Sequence, residues 1–275
     1  MRGVDRFVDT VRCFRIHAVG EVIAILSCEQ LLGLEDTHVV ALDAAWCLGD
    51  CRLHPLTVQA LARLRADARE AGFDLRVVSG FRSFERQAAI WNAKASGLRP
   101  VLDAAERPID TSTLDDAALL FAILRWSALP GASRHHWGTD MDVVDATLLE
   151  PERPVSLKVA DTRDEGMFAA LHRWLDERIA SGQAHGFFRP YTGTGCKVAP
   201  EPWHLSFAPL AWVCQRSFDP LALATVHRRA GLALRAVIEA SREQILQGYF
   251  DVPAALYARA LADCAVAMGQ EVGAG

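Results

Sequence analysis

The sequence predicts an α+β protein: a small, mainly antiparallel sheet flanked by helices, followed by a helical C-terminal extension. Three observations carry this expectation. Short stretches such as "TDMDVVD" (139–145) alternate with the period of two of a strand. Longer stretches such as "HPLTVQALARLRADAREAG" (54–72) repeat apolar residues three and four apart, the period of a helix. From about residue 217 the chain becomes Ala-rich and helical in pattern, through "PLALATVHRRAGLALRAVIEASREQIL" and "VPAALYARALADCAVAMG".

In chain order, residues 1–45 are apolar without a clear period and are expected to pack on a core spanning 46–215, with 216–275 as the extension. In 54–72, Pro55 suits a first helical turn and Gly72 a helix stop. "FDLRVVSG" (73–80) is a strand running into a tight turn. "SFERQAAIWNAKASG" (83–97) is a second helix, with Ser83 as N-cap and a glycine at its end. Residues 98–132 are looser, with "STLDDAALLFAILRW" as their helical part and "LPGA" as a turn. The strand at 139–145 puts Asp140 and Asp142 on one face. A helix at roughly 165–181 and strands in "HGFFRPY" and "PWHLSFAP" complete the core.

The bulk composition excludes several classes. Of 275 residues, 51% are hydrophobic and 23% charged, which is globular and not disordered. A net charge of −5 without any basic run argues against a nucleic-acid partner. The apolar stretch "AVGEVIAILSC" is broken by Glu21 and too short to span a bilayer. The residues before it lack the basic region and cleavage site of a signal peptide, so a cytoplasmic protein with no membrane partner is expected. Seven cysteines, an odd number with no CxxC pair, are read as reduced thiols, which fits the same compartment.

The chemistry is concentrated in "SRHHWGTDMD" (133–142) and "EPWH" (201–204). A catalytic zinc site uses three protein ligands and keeps one open position. His135, Asp142 and His204 can supply the ligands, and Glu201 a carboxylate base. An HExxH helix is absent, so the site is not of the thermolysin type. Gly138 lets the chain turn before the strand that carries Asp142. Glu201 and His204 are three apart, which would oppose them on an ideal strand. Pro202 breaks that regularity, so Glu201 can sit in the loop before the strand and face the same centre.

Together with "SGFRS" (79–83), these two stretches, in this order, resemble the VanY-type D-alanyl-D-alanine carboxypeptidases of the LAS metallopeptidase superfamily. The resemblance spans roughly residues 50–210. It implies an LAS-type zinc peptidase core, Zn2+ as cofactor, His135, Asp142 and His204 as its ligands, and Glu201 as general base. It places Arg82 on the substrate carboxylate or scissile carbonyl, and Ser133 in the substrate site. Gln87 is a further candidate for holding the substrate's C-terminus, and Trp203 lines the pocket or joins the core, as does Trp137. His136 is expected to be structural or to support a ligand. Two positions depart from the family. Asp140 stands where relatives have Ala; it is a partner to a ligand histidine, a contact to a substrate amine, or a solvated carboxylate. Ser206 stands where relatives often carry arginine, which bears on substrate preference.

The resemblance implies peptidoglycan stem peptides or muropeptides ending in D-Ala as substrates. With a cytoplasmic location, it points to an L,D-carboxypeptidase converting tetrapeptide to tripeptide in muropeptide recycling. The alternatives are a D,D-carboxypeptidase acting on pentapeptides and a non-catalytic zinc-binding module. Oligomeric state and the task of the C-terminal helices stay open.

Overall fold

Capping residues and glycines set most element boundaries in the computed structural model, which describes residues 17–18, 21–22, 25–150 and 155–267. Of the segment 1–45, residues 1–16, 19–20 and 23–24 lie outside the described residues, while Leu26, Leu31, Leu32 and Leu42 are buried in the core cluster. β1 (His17–Ala18) pairs with β2 (Glu21–Val22), and after α1 (Cys28–Leu31) β3 (Val40–Ala41) pairs with β4 (Arg52–Leu53), both antiparallel. α2 (Pro55–Glu70) has its proline in the first turn and ends before Gly72, whose φ is +91°. β5 (Leu75–Ser79) leads into α3 (Phe84–Ala95), where Ser83 Oγ accepts from the Arg86 amide as the expected N-cap. α4 (Asp116–Leu124) is capped in the same way by Asp115.

β6 (Asp140–Asp145), α5 (Ala169–Ala180), β7 (Phe187–Phe188) and β8 (His204–Phe207) follow. The strand expected in "HGFFRPY" is only two residues long. Pro190, which has no amide hydrogen to give a ladder, follows soon after. α6 (Ala208–Ser217), α7 (Pro220–Arg229), α8 (Arg235–Ala240), α9 (Arg242–Ile245), a π-turn over Leu246–Phe250, and α10 (Ala254–Ala267) end the described chain.

The main sheet runs β5-β6-β8-β7, antiparallel throughout. Its register sets Asp142 opposite His204 on one side and Ser79 on the other, and Asp140 opposite Ser206. Every residue of β6 is buried. One continuous apolar cluster joins Leu61 of α2, Val77 of β5, Val143 of β6, Leu205 of β8, Leu210 of α6 and Tyr257 of α10. α10 packs on α6 and β7, so the C-terminal helices share the core of the sheet. No helix among the described residues is long and apolar enough to cross a membrane.

Candidate active site

The register of β6 against β8 brings Asp142 beside His204. His135 comes from the 3-10 turn Arg134–Trp137 that precedes β6. Gly138 closes that turn at φ +67°. A Cβ there would lie 2.6 Å from Val39 Cγ1 and 2.7 Å from the His54 amide nitrogen, so only glycine fits the approach. One donor atom each from His135, Asp142 and His204 lies within 4.8 Å of the others. His135 Nε2 is 3.8 Å from Asp142 Oδ2, and His204 Nδ1 is 3.2 Å from Asp142 Oδ1. The two imidazoles meet edge to face, centroids 4.9 Å apart.

Both rings are oriented by their outer nitrogens. His135 Nδ1 is 2.7 Å from the Gly80 carbonyl oxygen, and His204 Nε2 is 2.9 Å from Asp140 Oδ1. A carbonyl and a carboxylate only accept, so these nitrogens carry hydrogen and donate. His135 Nε2 and His204 Nδ1 are left to face Asp142. His204 Nδ1 and Asp142 Oδ1 are buried without a hydrogen-bond partner; their 3.2 Å separation lacks the alignment of a bond. Orphaned buried polar atoms are costly. Two imidazole nitrogens and a carboxylate converging on one point, two of their donor atoms unsatisfied, fit a bound metal ion.

The electrostatics fit as well. Burial, helped by the Arg82 charge, lowers the His135 pKa to about 4, so its ring is neutral and able to ligate. Burial also opposes a charge on His204, but Asp140 and Asp142 outweigh it and raise that pKa to about 10. A cation at Nδ1 would take the place of the proton held there. Burial, reinforced by the Asp142 charge, raises the Glu201 pKa to about 7, with His204 and Arg82 pulling the other way.

Glu201 Oε2 lies 3.5 Å from His204 Nδ1. The His204 amide donates to the Glu201 carbonyl (3.0 Å), closing a turn around Pro202 that puts both side chains at one centre. Arg189, paired with Asp176 at 2.6 Å, donates to the Pro202 carbonyl and clamps this turn. Arg82 donates to Ser79 Oγ (3.1 Å) and Gln87 Oε1 (2.9 Å). Burial lowers its pKa, and the charges of Asp142 and Glu201 offset part of that.

Three of the expected substrate contacts are placed elsewhere. Gln87 is fully buried, with Oε1 taken by Arg82 and Nε2 by the Ala128 carbonyl, so it holds Arg82 in place. Asp140 and Ser206 are also fully buried, in a hydrogen-bonded cluster beside His204 that leaves them no face for a ligand. Of the openings left for Asp140, partnership with a ligand histidine is the one its contacts match. Ser133 is buried and makes no side-chain cap to the turn it precedes. Trp203 is 7% exposed beside the site, whereas Trp137 is a core residue that donates to the Leu31 carbonyl. His136 is structural: its nitrogens meet the Gly131 amide and the Arg82 carbonyl.

Four residues near the site were not singled out by sequence. The Tyr191 ring lies 4.9 Å from that of His204. Lys94, on α3, donates to Ser127 Oγ at 2.7 Å; burial lowers its pKa while the Glu201 charge opposes the shift. Arg134 and Tyr257 belong to the cluster around Asp140. Only Arg134 carried a signal, its place inside the histidine motif.

The chain has relatives among known proteins and solved structures. Two uncharacterised proteins of Haemophilus influenzae are similar: one is 42% identical over 104 residues (38% of this chain, 70% of the relative), the other 30% identical over 123 residues (44% and 92%). Among solved structures, VanYB in complex with D-alanine-D-alanine aligns with a TM-score of 0.45 at 22% identity, covering 74% of this chain and 90% of that one. The LD-carboxypeptidase LdcB aligns with a TM-score of 0.44 at 21% identity, covering 74% and 78%. Residues 50–210, which hold all three motifs, match the VanY family, described as D-alanyl-D-alanine carboxypeptidase. The chain therefore belongs to the VanY family of carboxypeptidases.

Proposed function

We propose that this protein is a zinc-dependent carboxypeptidase that removes the C-terminal D-alanine from peptidoglycan stem peptides, with L,D-cleavage of tetrapeptide to tripeptide as its preferred reaction. The observation that carries the activity is a three-ligand centre with a buried carboxylate of raised pKa 3.5 Å from a ligand nitrogen. His135 through Nε2, His204 through Nδ1 and Asp142 would hold the ion. Bound zinc would supply a Lewis acid and lower the pKa of a water toward about 7. Glu201 takes the proton of the attacking water and returns it to the departing amine; a pKa of about 7 suits both transfers near neutral pH. Arg82, fixed by Ser79 and Gln87, presents its remaining N–H donors to the substrate carboxylate or the carbonyl oxygen that gains charge.

The bond preference rests on compartment. Cys28, Cys47, Cys51, Cys196 and Cys214 are free thiols, which suits a reducing cytoplasm. An enzyme there meets recycled muropeptides and wall precursors. Trimming pentapeptide precursors would remove the terminus used in crosslinking. Trimming a recycled tetrapeptide would not. A mass-spectrometric digest tests this: zinc-loaded protein receives equal amounts of tetrapeptide and pentapeptide stems, each with and without sugar. Tripeptide from tetrapeptide, with pentapeptide untouched, is the expected result. Tetrapeptide from pentapeptide alone would make it a D,D-carboxypeptidase. Zinc retention without any cleavage would make it a non-catalytic zinc-binding module.

A further inference from the structure

A buried chain of hydrogen bonds links the C-terminal helix to a metal ligand. Asp140 Oδ1 accepts from His204 Nε2 (2.9 Å) and from Arg134 Nε (2.9 Å). Its Oδ2 accepts from Thr139 Oγ1 and from Ser206 Oγ (3.1 Å). Four donors occupy the roughly four lone-pair sites a carboxylate offers, so Asp140 cannot turn without breaking a bond. Arg134 is equally committed: it donates to Asp140, to Ser206 Oγ (2.6 Å) and, through Nη1, to the Tyr257 hydroxyl (2.7 Å) and more distantly to Gln215 Oε1 (3.3 Å). Tyr257 in turn donates to Gln215 Oε1 (2.8 Å), and Gln215 Nε2 donates to the Val252 carbonyl (3.0 Å). Arg134, Asp140, Ser206 and Tyr257 are each 1% exposed or less.

The hydrolysis itself uses none of the outer members. The Tyr257 ring packs in the core, but the buried Arg134–Asp140 ion pair is weak support for stability compared with apolar packing of the same volume. What the chain does is fix one imidazole: an ionised, immobile Asp140 holds hydrogen on His204 Nε2 and aims Nδ1 at Asp142. Partners of this kind orient a metal ligand. We propose that α10 belongs to the metal centre through one hydroxyl, with Tyr257 locking Arg134, Arg134 locking Asp140, and Asp140 orienting His204. Tyr257 is thus a positioning residue for metal binding, contributed from outside the family-matched residues 50–210. This rests on the zinc-site assignment above.

The test is Tyr257→Phe in the full chain, which removes the hydroxyl and keeps the ring. Zinc affinity is measured by competition with a chromophoric chelator. The control is Leu261→Ala, which thins the packing of the same helix without touching the hydroxyl. Tyr257→Phe should weaken zinc by about threefold to tenfold and lower kcat with KM unchanged, less than the 10–100-fold typical of losing a direct partner of a ligand because Arg134 and Asp140 stand between the hydroxyl and His204. The absorption bands of the cobalt-substituted protein should shift. Leu261→Ala should lower the melting temperature of the metal-free protein and leave zinc affinity as in the wild type. Wild-type zinc affinity in Tyr257→Phe, or an equal loss in both variants, would overturn the proposal. Failure of the unaltered protein to bind zinc would overturn the site assignment and this inference with it; zinc binding without hydrolysis would leave the inference standing and remove only the proposed activity.

Discussion

Arg82 shows how much at this site depends on shape as well as charge. Its guanidinium donates to Ser79 and Gln87 while facing Asp142 and Glu201. Lysine keeps the charge but has no planar fork to bridge such partners. Arg82→Lys is therefore expected to raise KM for stem peptides by at least about tenfold, from the loss of at least one charge-assisted hydrogen bond, while zinc affinity stays unchanged. Steady-state kinetics beside a chelator titration checks this. At this scale, the residues proposed to carry the chemistry were legible in the sequence by type. His135, Asp142, Glu201 and His204 sit in two short motifs, and converge as their spacing suggested. Residues defined by direction were not. Asp140 shares a strand face with Asp142, but only the register against Ser206 and the arrival of Arg134 show that its carboxylate is taken up by His204, Arg134 and Ser206. Gln87 has the right residue type for a substrate contact, yet the Ala128 carbonyl takes its amide. The contact of Tyr257 with Arg134 crosses 123 positions, which no local pattern encodes.

Among the elements, those with punctuation were the ones the sequence located. α2 has Pro55 and Gly72, and α3 has Ser83; each boundary lies within a few residues of expectation. α3 bears on the proposed site because it carries Gln87 and Lys94 and begins next to Arg82. Its cap is exposed to a simple test. Ser83→Ala is expected to cost about 1 kcal/mol, the typical value of an N-cap hydroxyl, seen as a lower urea midpoint at unchanged slope. The shortened β7 and the 3-10 turn carrying His135 were not legible, because both depend on what lies across from them. The turn is held by the Gly80 carbonyl on His135 and by the close approach of residues 39 and 54 to Gly138.

Across the whole molecule, the sheet, its flanking helices and the C-terminal helices form one buried cluster, in keeping with the predicted α+β class. What the sequence left open was the task of the C-terminal helices, since Ala-rich amphipathic helices look alike whether they cap, dimerise or support a site. Burial also sets the response to acid. It holds His136 at a pKa of about 3 and, with the Arg189 charge, His172 at about 3, against 6.5 for a free side chain. Between these values the unfolded chain binds protons that the folded chain refuses. The contribution of these two histidines to stability is therefore full above pH 6.5 and falls as pH drops toward 3, each adding a slope of up to about 1.4 kcal/mol per pH unit. Denaturant midpoints of the metal-free protein at pH 7, 5.5 and 4 should show this, with a shallower fall in His172→Gln. The proposed function joins the two histidine-bearing motifs into one hydrolytic zinc centre with Glu201 as its base. Its most direct test is the rate of D-alanine release from a stem peptide by Glu201→Ala and wild-type protein at equal zinc occupancy. With Glu201 as the base, the rate should fall at least about 10²–10⁴-fold with zinc retained; a near wild-type rate in the variant would rule that role out.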